Sequence, residues 1–152
     1  SIVATYNDGF EWTGDLVTPG IAGLSVDLMT PNDSEELSIR LVLFGEGSTN
    51  NRWTSIEPAM IPNDGVWRTY MFPIGESDVT RVRGTSTYDA TVNDVVRVML
   101  RHDTGTPSSG GSTVAGVLGI DNIRLVGVPE PSCIALTAMG LLTLACYRRR
   151  RG

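Results

Sequence analysis

The histidine and the acidic residues are the side chains of this sequence that could support catalysis. Its single histidine, His102, lies in the segment "RHD" at the end of a predicted strand, next to Asp103. If the strand continues, the two side chains point to opposite faces of the sheet, so Asp103 does not orient the His102 ring. One histidine cannot build a multi-histidine metal site. The chain also contains no nucleophile elbow, zinc spacing, phosphate loop or dinucleotide fingerprint. We therefore predict that the protein is not an enzyme.

The 17 acidic residues keep one catalytic alternative open. Glycoside hydrolysis needs a pair of suitably spaced carboxylates, and a chain with many acids always offers pairs. A domain of this size has little room for a deep substrate cleft. A glycoside hydrolase or lyase fragment is therefore the weakest of the functions that we consider.

The aromatic residues are the best candidates for binding a sugar, because an aromatic face suits the apolar face of a pyranose ring. The candidates are Trp12, Trp53, Trp67, Tyr70 and Tyr88. Trp53 follows a polar, Gly-rich loop, and residues 50–52 could form a hydrogen-bonding rim beside it. The predicted ligand-binding residues are therefore Trp53, Trp12 and Arg52. The alternative is that the large aromatics fill the core, and this is the role that we expect for Trp67.

Alternating apolar and polar residues mark short β-strands throughout residues 1–127, which we call the body. The alternation is clearest at 24–28, 37–43 and 96–101, and further strand segments are "SIVATY", "RWTSI", "VWRTYMFPI" and "VAGVLGIDNIRLVG". About seven strands with turn-rich connectors predict an all-β fold, an antiparallel β-sandwich that is jelly-roll-like. The polar segment at 104–116 predicts a flexible loop, because nothing in it offsets the entropy of ordering.

The charges are distributed unevenly along the chain. All 12 basic residues are arginines; eight of them stand against 17 Asp and Glu residues up to Pro131, and four more lie among the last five residues. An acidic body argues against nucleic acid as a partner, since nucleic-acid binding needs a basic face. The chain begins without Met and without the basic and apolar regions of a signal peptide. We therefore interpret the body as N-terminally incomplete.

The last 25 residues, 128–152, have the composition of a membrane-anchoring tail. Residues 132–147 carry no charge and would form a helix about 24 Å long, short of the roughly 30 Å hydrocarbon core. The arginines at 148–151 could snorkel to extend the span and would stay cytoplasmic, which leaves the body outside. Cys133 and Cys146 would lie about 20 Å apart on this helix, too far for one disulfide. We predict a short C-terminal transmembrane helix, with a buried core helix as the alternative.

The order of motifs in this tail resembles the PEP-CTERM sorting signal of exported Gram-negative proteins. The motif consists of Val128, Pro129, Glu130, Pro131 and Ser132, and the arginine cluster that stops the anchor consists of Arg148, Arg149, Arg150 and Arg151. The resemblance implies an exosortase-type membrane protease as partner and cleavage near the motif. The protein would be in the inner membrane in transit and then at the cell surface or outside the cell. The alternative is an ordinary Pro-rich linker before a permanent anchor.

The body resembles a jelly-roll domain that is common in PEP-CTERM proteins and is similar to carbohydrate-binding and galactose-binding-like sandwiches. The segments that carry the resemblance lie at 11–45, 65–74 and 118–127. It implies an adhesive or structural domain associated with exopolysaccharide, with a carbohydrate-binding module as the alternative.

The same resemblance implies a possible metal-binding role for Asp121, which interrupts an otherwise apolar strand in "GIDNIRL". In such sandwiches an Asp near this position helps to hold a structural calcium, an ion that takes about six to eight oxygen ligands. Asp121 is therefore the candidate calcium ligand, and no other cofactor is expected. The alternative, which we favour, is that Asp121 accepts backbone hydrogen bonds at a bulge or turn. The acidic groups at 33–36 and 76–78 are interpreted as solvated loop charges.

Overall fold

Two antiparallel sheets form the protein in the computed structural model, which describes residues 11–127 and the backbone of residues 4–7. The elements in chain order are β1 (Ala4–Asn7), β2 (Ile21–Met29), β3 (Leu37–Gly45), β4 (Arg52–Ser55), β5 (Ala59–Ile61), β6 (Arg68–Pro73), β7 (Val79–Arg83), α1 (Tyr88–Val92), β8 (Val95–His102) and β9 (Gly119–Gly127). The all-β prediction is confirmed in this coarse form.

The two sheets differ in width. The large sheet has the order β1-β8-β3-β4-β7, and β5 pairs with the first residues of β3. The small sheet has the order β6-β2-β9. The long strands β2, β3 and β8 are interior strands. The edges are β6 and β9 in the small sheet and β1 and β7 in the large sheet.

A single apolar core joins the two sheets. Period-two alternation turns Leu24, Val26 and Leu28 of β2 inward, and the odd-numbered residues 37–43 of β3 do the same from the opposite sheet. All of these side chains are almost fully buried. Each such burial contributes about 1.5–3 kcal/mol. The result is a β-sandwich-like architecture whose inner face follows the sequence pattern.

The structure adds three elements that the alternation did not predict, namely β5, β7 and α1. Helix α1 is only five residues long, too short to show a helical period. The side chain of Thr87 caps it by accepting a hydrogen bond from the Ala90 N–H at 3.2 Å. The helix packs closely against Gly45 at the end of β3. A larger residue would clash there, because a Cβ would lie 2.6 Å from the Thr91 Cα.

A bulge changes one predicted core position. The alternation of 96–101 places Val96 inward, whereas the pairing of β3 with β8 shifts register between Phe44 and Gly45. As a result Val95, rather than Val96, joins Val98 in the core. The extra residue of a bulge reverses the facing of what precedes it, and local alternation cannot reveal that.

The loop after β8 is bound to the large sheet. We call residues 104–112 the strap. Asp103 accepts hydrogen bonds from the Ser108 N–H at 3.1 Å and from the Ser108 hydroxyl at 2.8 Å. Arg40 donates to the Gly105 carbonyl at 2.6 Å, and Arg101 donates to the Ser109 carbonyl at 2.9 Å. The expectation that nothing could order this segment was wrong, because its partners lie on strands rather than within the loop.

The predicted tail, 128–152, lies outside the described residues. In the part of the chain that the structure describes, no helix is long and apolar enough to cross a membrane.

Candidate functional site

The outer face of the small sheet presents a large aromatic side chain. Trp67 directly precedes β6 and is 48% exposed. Its ring lies against Gly119 of β9, where a Cβ would be 2.9 Å from the Trp67 Cη2 atom. The expectation that Trp67 fills the core was wrong. In β6 the alternation turns Tyr70 and Phe72 inward, so the side chains of 67, 69 and 71 point outward.

A row of hydrogen-bonded polar side chains follows Trp67 on the same face. Thr69 donates to Asp27 Oδ1 at 2.6 Å, and Asn122 Nδ2 donates to Asp27 Oδ2 at 2.7 Å. These bonds, first from Thr69 and then from Asn122, hold the pKa of Asp27 below its usual value, and the positive charge of Arg124 acts in the same direction. Asp27 is therefore an ionised carboxylate that two neighbouring strands keep in place.

The row encloses a shallow pocket. Its volume is about 220 Å³, and it is lined by Ser25, Asp27, Thr69, Asn122 and Arg124. Trp67 lies two residues before Thr69, so the aromatic ring and the pocket occupy consecutive outward-facing positions at the start of β6. We call the ring and the pocket together the Trp67 surface. An apolar ring beside fixed donors and acceptors is the arrangement that suits a sugar.

A bulge in β9 builds one end of this pocket. The β2–β9 register shifts between Ser25 and Asp27, and Asn122 adopts a positive φ of 50°. Asp121 is exposed there, and its Oδ1 accepts a hydrogen bond from the Asn122 N–H at 2.7 Å. A backbone hydrogen bond at a bulge is the alternative role that we favour for Asp121. Within 11–127, no group of three or more His, Cys, Asp and Glu side chains could hold a metal ion.

The structure places the predicted pair Trp53 and Arg52 on opposite faces of the large sheet. Trp53 pairs with Leu43 on the inner side and makes an edge-to-face contact with Tyr88, with ring centroids 5.9 Å apart. Arg52 points outward, with its Cζ atom 5.1 Å from the centre of the Phe44 ring. The two residues are consecutive in a strand, so they do not share one surface.

The other predicted aromatics also pack separately. Trp12 is partly buried against the core. Tyr70 donates from its hydroxyl to the Met60 carbonyl at 3.2 Å, and Tyr88 donates to the Ile74 carbonyl at 2.8 Å. Burial raises the pKa of both tyrosines. The five aromatics therefore do not form a common platform, and Trp67 is the one among them whose side chain is exposed.

His102 is a structural residue at the end of β8. It is 4% exposed, and its Nδ1 accepts a hydrogen bond from the Ser38 N–H at 3.0 Å. Burial lowers its pKa, so the ring is neutral near pH 7. Asp103 points to the other face, as predicted, and lies 3.3 Å from the Arg101 guanidinium. The two side chains do not form a dyad.

No family model, curated protein or solved structure matches the chain. Its function is therefore inferred from the geometry of the described residues and from the sequence of the tail.

The alternation in "WRTYMF" was the signal that could have assigned Trp67 to the outer face, because it separates 67, 69 and 71 from the inward-facing Tyr70 and Phe72.

Proposed function

We propose that this chain is an exported cell-envelope protein whose body has an adhesive or structural role in a polysaccharide matrix. On this proposal the body is a jelly-roll-like sandwich that holds glycan chains without cleaving them. The single observation that carries the binding role is the half-exposed ring of Trp67 beside the ordered row Thr69, Asp27 and Asn122.

The Trp67 surface supplies both parts of a sugar contact. The exposed ring offers an apolar face, and a stacked ring contact is worth about 0.5–1.5 kcal/mol beyond the area that it buries. The polar row offers the carboxylate of Asp27 and the guanidinium of Arg124, whose positions the strands define. Because Thr69 and Asn122 already orient Asp27, binding loses little side-chain entropy there.

The chemistry of Asp27 supports binding rather than turnover. A general acid in glycoside hydrolysis needs a raised pKa so that it keeps its proton near neutral pH. The pKa of Asp27 is shifted in the opposite direction by the hydrogen bonds from Thr69 and Asn122. Asp27 is suited to accept hydrogen bonds from sugar hydroxyls.

The binding role is tested by Trp67→Ala, assayed against a panel of neutral polysaccharides by affinity gel electrophoresis. We expect the binding constant to fall by about tenfold, which corresponds to one lost stacking contact. Met60→Ala is the control, because Met60 is 58% exposed on β5 of the other sheet. If no polysaccharide retards the protein, or if both variants bind as the wild type does, the Trp67 surface is not a sugar site.

The sorting part of the proposal is supported by the tail sequence. Its motif at 128–132, the uncharged run at 132–147 and the arginines at 148–151 follow in the order of a removable C-terminal address. Pro129 and Pro131 favour an extended backbone that a protease can bind. On this proposal an exosortase-type protease of the inner membrane recognises Glu130 and releases the body.

Sorting is tested by the intact mass of the protein, expressed with a signal peptide in a host that carries the sorting protease. We expect a product that ends near Pro131, and we expect Glu130→Ala to restore the full-length mass. Glu57→Ala is a matched control, since it removes an exposed glutamate from the body. A full-length mass for the wild type would instead indicate a permanent anchor.

A further inference from the structure

The outer face of the large sheet concentrates positive charge in an otherwise acidic body. Five of the eight body arginines lie there: Arg40, Arg52, Arg83, Arg97 and Arg101. Strand pairing explains the concentration. Phe44 of β3 pairs with Arg97 on one side and Arg52 on the other, and Arg52 pairs in turn with Arg83.

The carboxylate of Asp103 lies close to two of these arginines. It lies 3.3 Å from the Arg101 guanidinium and 4.0 Å from Arg40 Nε. Arg52 makes no ion pair in the described part of the chain. Its pKa is lowered first by burial and then by repulsion from Arg83, Arg101 and Arg97. The guanidinium of Arg52 therefore carries positive charge that no carboxylate among the described residues neutralises, and an anionic ligand would neutralise it.

A groove lies beside Arg52. Its volume is about 290 Å³, and its lining includes Phe44, Arg52, Arg97, Met99 and Arg101. We call it the arginine groove. The Cζ atoms of Arg52 and Arg97 lie 5.1 and 5.8 Å from the centre of the Phe44 ring. The groove thus combines cationic groups with an apolar floor.

The guanidinium of Arg52 is held in position before any ligand binds. Its Nε donates to the Thr49 carbonyl at 3.1 Å and its Nη1 donates to the Ser109 carbonyl of the strap at 2.7 Å. These bonds use two of the five N–H donors of a guanidinium. Arg101, also in the lining, is 3% exposed, and its Nε has no hydrogen-bond partner among the described residues.

We propose that the arginine groove binds the carboxylate of a uronic acid unit in an acidic polysaccharide. A guanidinium matches a carboxylate in charge and in its planar, paired geometry. The partly exposed Met99 provides apolar surface for the sugar ring, and the volume is near the lower end of the roughly 300–1,000 Å³ of small-molecule sites. The site is independent of the Trp67 surface, because the two lie on opposite outer faces.

The charge of the body favours a sparsely charged polyanion over nucleic acid. Up to Pro131, 17 acidic residues outnumber eight arginines, so most of the surface repels anions. A nucleic acid carries a charge on every phosphate and needs a broad basic face. A polysaccharide in which uronic acid units alternate with neutral sugars can place a single carboxylate in the groove and keep its uncharged neighbours in solvent.

The first test measures binding of a short oligogalacturonate by calorimetry, with its methyl ester as the uncharged counterpart. We expect binding of the acid but not of the ester, and at least a tenfold loss in Arg52→Gln. Arg81→Gln is the matched control. It removes the same charge from the same sheet, at an exposed residue that donates to the carbonyls of Thr85 and Ser86. Equal binding of acid and ester, or equal losses in both variants, would overturn the proposal.

A second variant leaves every arginine in place, so the test does not depend on the folding of Arg52→Gln. Gly110 lines the groove, and a Cβ there would meet no atom within 4 Å. Gly110→Asp adds a competing carboxylate and should abolish oligogalacturonate binding, whereas Gly110→Asn should preserve it. Loss of binding in both variants, or in neither, contradicts the electrostatic mechanism.

Two further measurements distinguish an acidic polysaccharide from other polyanions, and the arginine groove from the Trp67 surface. Single-stranded DNA or polyglutamate that binds as tightly as the oligogalacturonate would overturn the assignment to polysaccharide. Trp67→Ala should leave oligogalacturonate binding unchanged. If neutral glycans fail to bind while the Arg52-dependent binding persists, the Trp67 surface is refuted and the arginine groove stands; the reverse pattern refutes only the groove.

Discussion

The two outer faces of the sandwich differ in how far their side chains are exposed to solvent. On the large sheet, Arg40, Phe44 and Arg101 are between 2% and 3% exposed, because neighbouring strands and the strap cover them. On the small sheet, Trp67 and Met71 are 48% and 46% exposed. The covered face depends on internal charge pairing for stability and leaves a ligand only the arginine groove, whereas the side chains of the open face are exposed at little cost to the fold.

The difference follows from what covers the outer face of each sheet. The central strand β3 has partners along both edges, and arginine side chains with their apolar stems cover its outer face. Burial of those guanidinium groups is tolerated because Asp103 and backbone carbonyls accept their hydrogen bonds. The carbonyls belong to the strap and, for Arg40, also to Ser55 and Ile56. The small sheet has no such cover among the described residues, so its outer side chains remain accessible.

The largest effect should come from the buried carboxylate of the covered face. Asp103→Asn leaves Arg40 and Arg101 without their counter-charge, and breaking a buried pair in this way costs about 3–5 kcal/mol. Asp27→Asn, the same change on the open face, should lower the unfolding midpoint much less, because Asp27 is partly exposed to solvent. Urea denaturation of both variants measures the difference. Equal midpoints for the two would show that the covered face does not depend on Asp103.

Acidification should reduce the stability of the protein moderately. We expect this loss to depend on His102 at the end of the large sheet. Burial lowers the pKa of His102 below the ordinary value of 6.5. The unfolded chain therefore binds the proton first, so stability is full above about pH 6.5 and falls as the pH drops towards the lowered pKa.

Urea unfolding between pH 7.5 and 5 measures this loss. His102→Gln should remove it, since Gln accepts the Ser38 N–H bond but does not titrate in that range. The pKa of Asp27 is also lowered, but its contribution to stability is present above the ordinary value of 3.8 and is lost only below it. A slope in the His102→Gln variant equal to that of the wild type would assign the pH dependence to other groups.

The smallest effect on stability should come from Gly119→Ala on the open face. The new methyl group would lie 2.9 Å from the Trp67 ring and 3.2 Å from Met29 Cε, and both of these can move outward. We expect an unfolding midpoint close to that of the wild type, increased acrylamide quenching of tryptophan fluorescence, and weaker binding of neutral glycans. Gly110→Ala is the control, because its Cβ meets nothing. Unchanged quenching would mean that the ring does not rest on Gly119.

Period-two alternation predicted the inner faces correctly where the chain runs without interruption. In β2, Leu24, Val26 and Leu28 point inward as the pattern requires. The odd-numbered residues 37–43 of β3 do the same. The same pattern failed at Val96, because a bulge is a property of two paired strands rather than of one. The predicted sugar residues Trp53 and Arg52 illustrate a further limit, since being consecutive in a strand separates their side chains instead of bringing them together.

The sequence by itself determined the all-β class, the body's acidity and most inward-facing positions, because each depends on composition or on neighbours two residues apart. Tertiary structure alone decided the two candidate surfaces. Arg52 meets the Ser109 carbonyl across 57 positions of the chain, and Asn122 meets Asp27 across 95. Such contacts follow from strand order and register, which bring together residues that no local pattern connects.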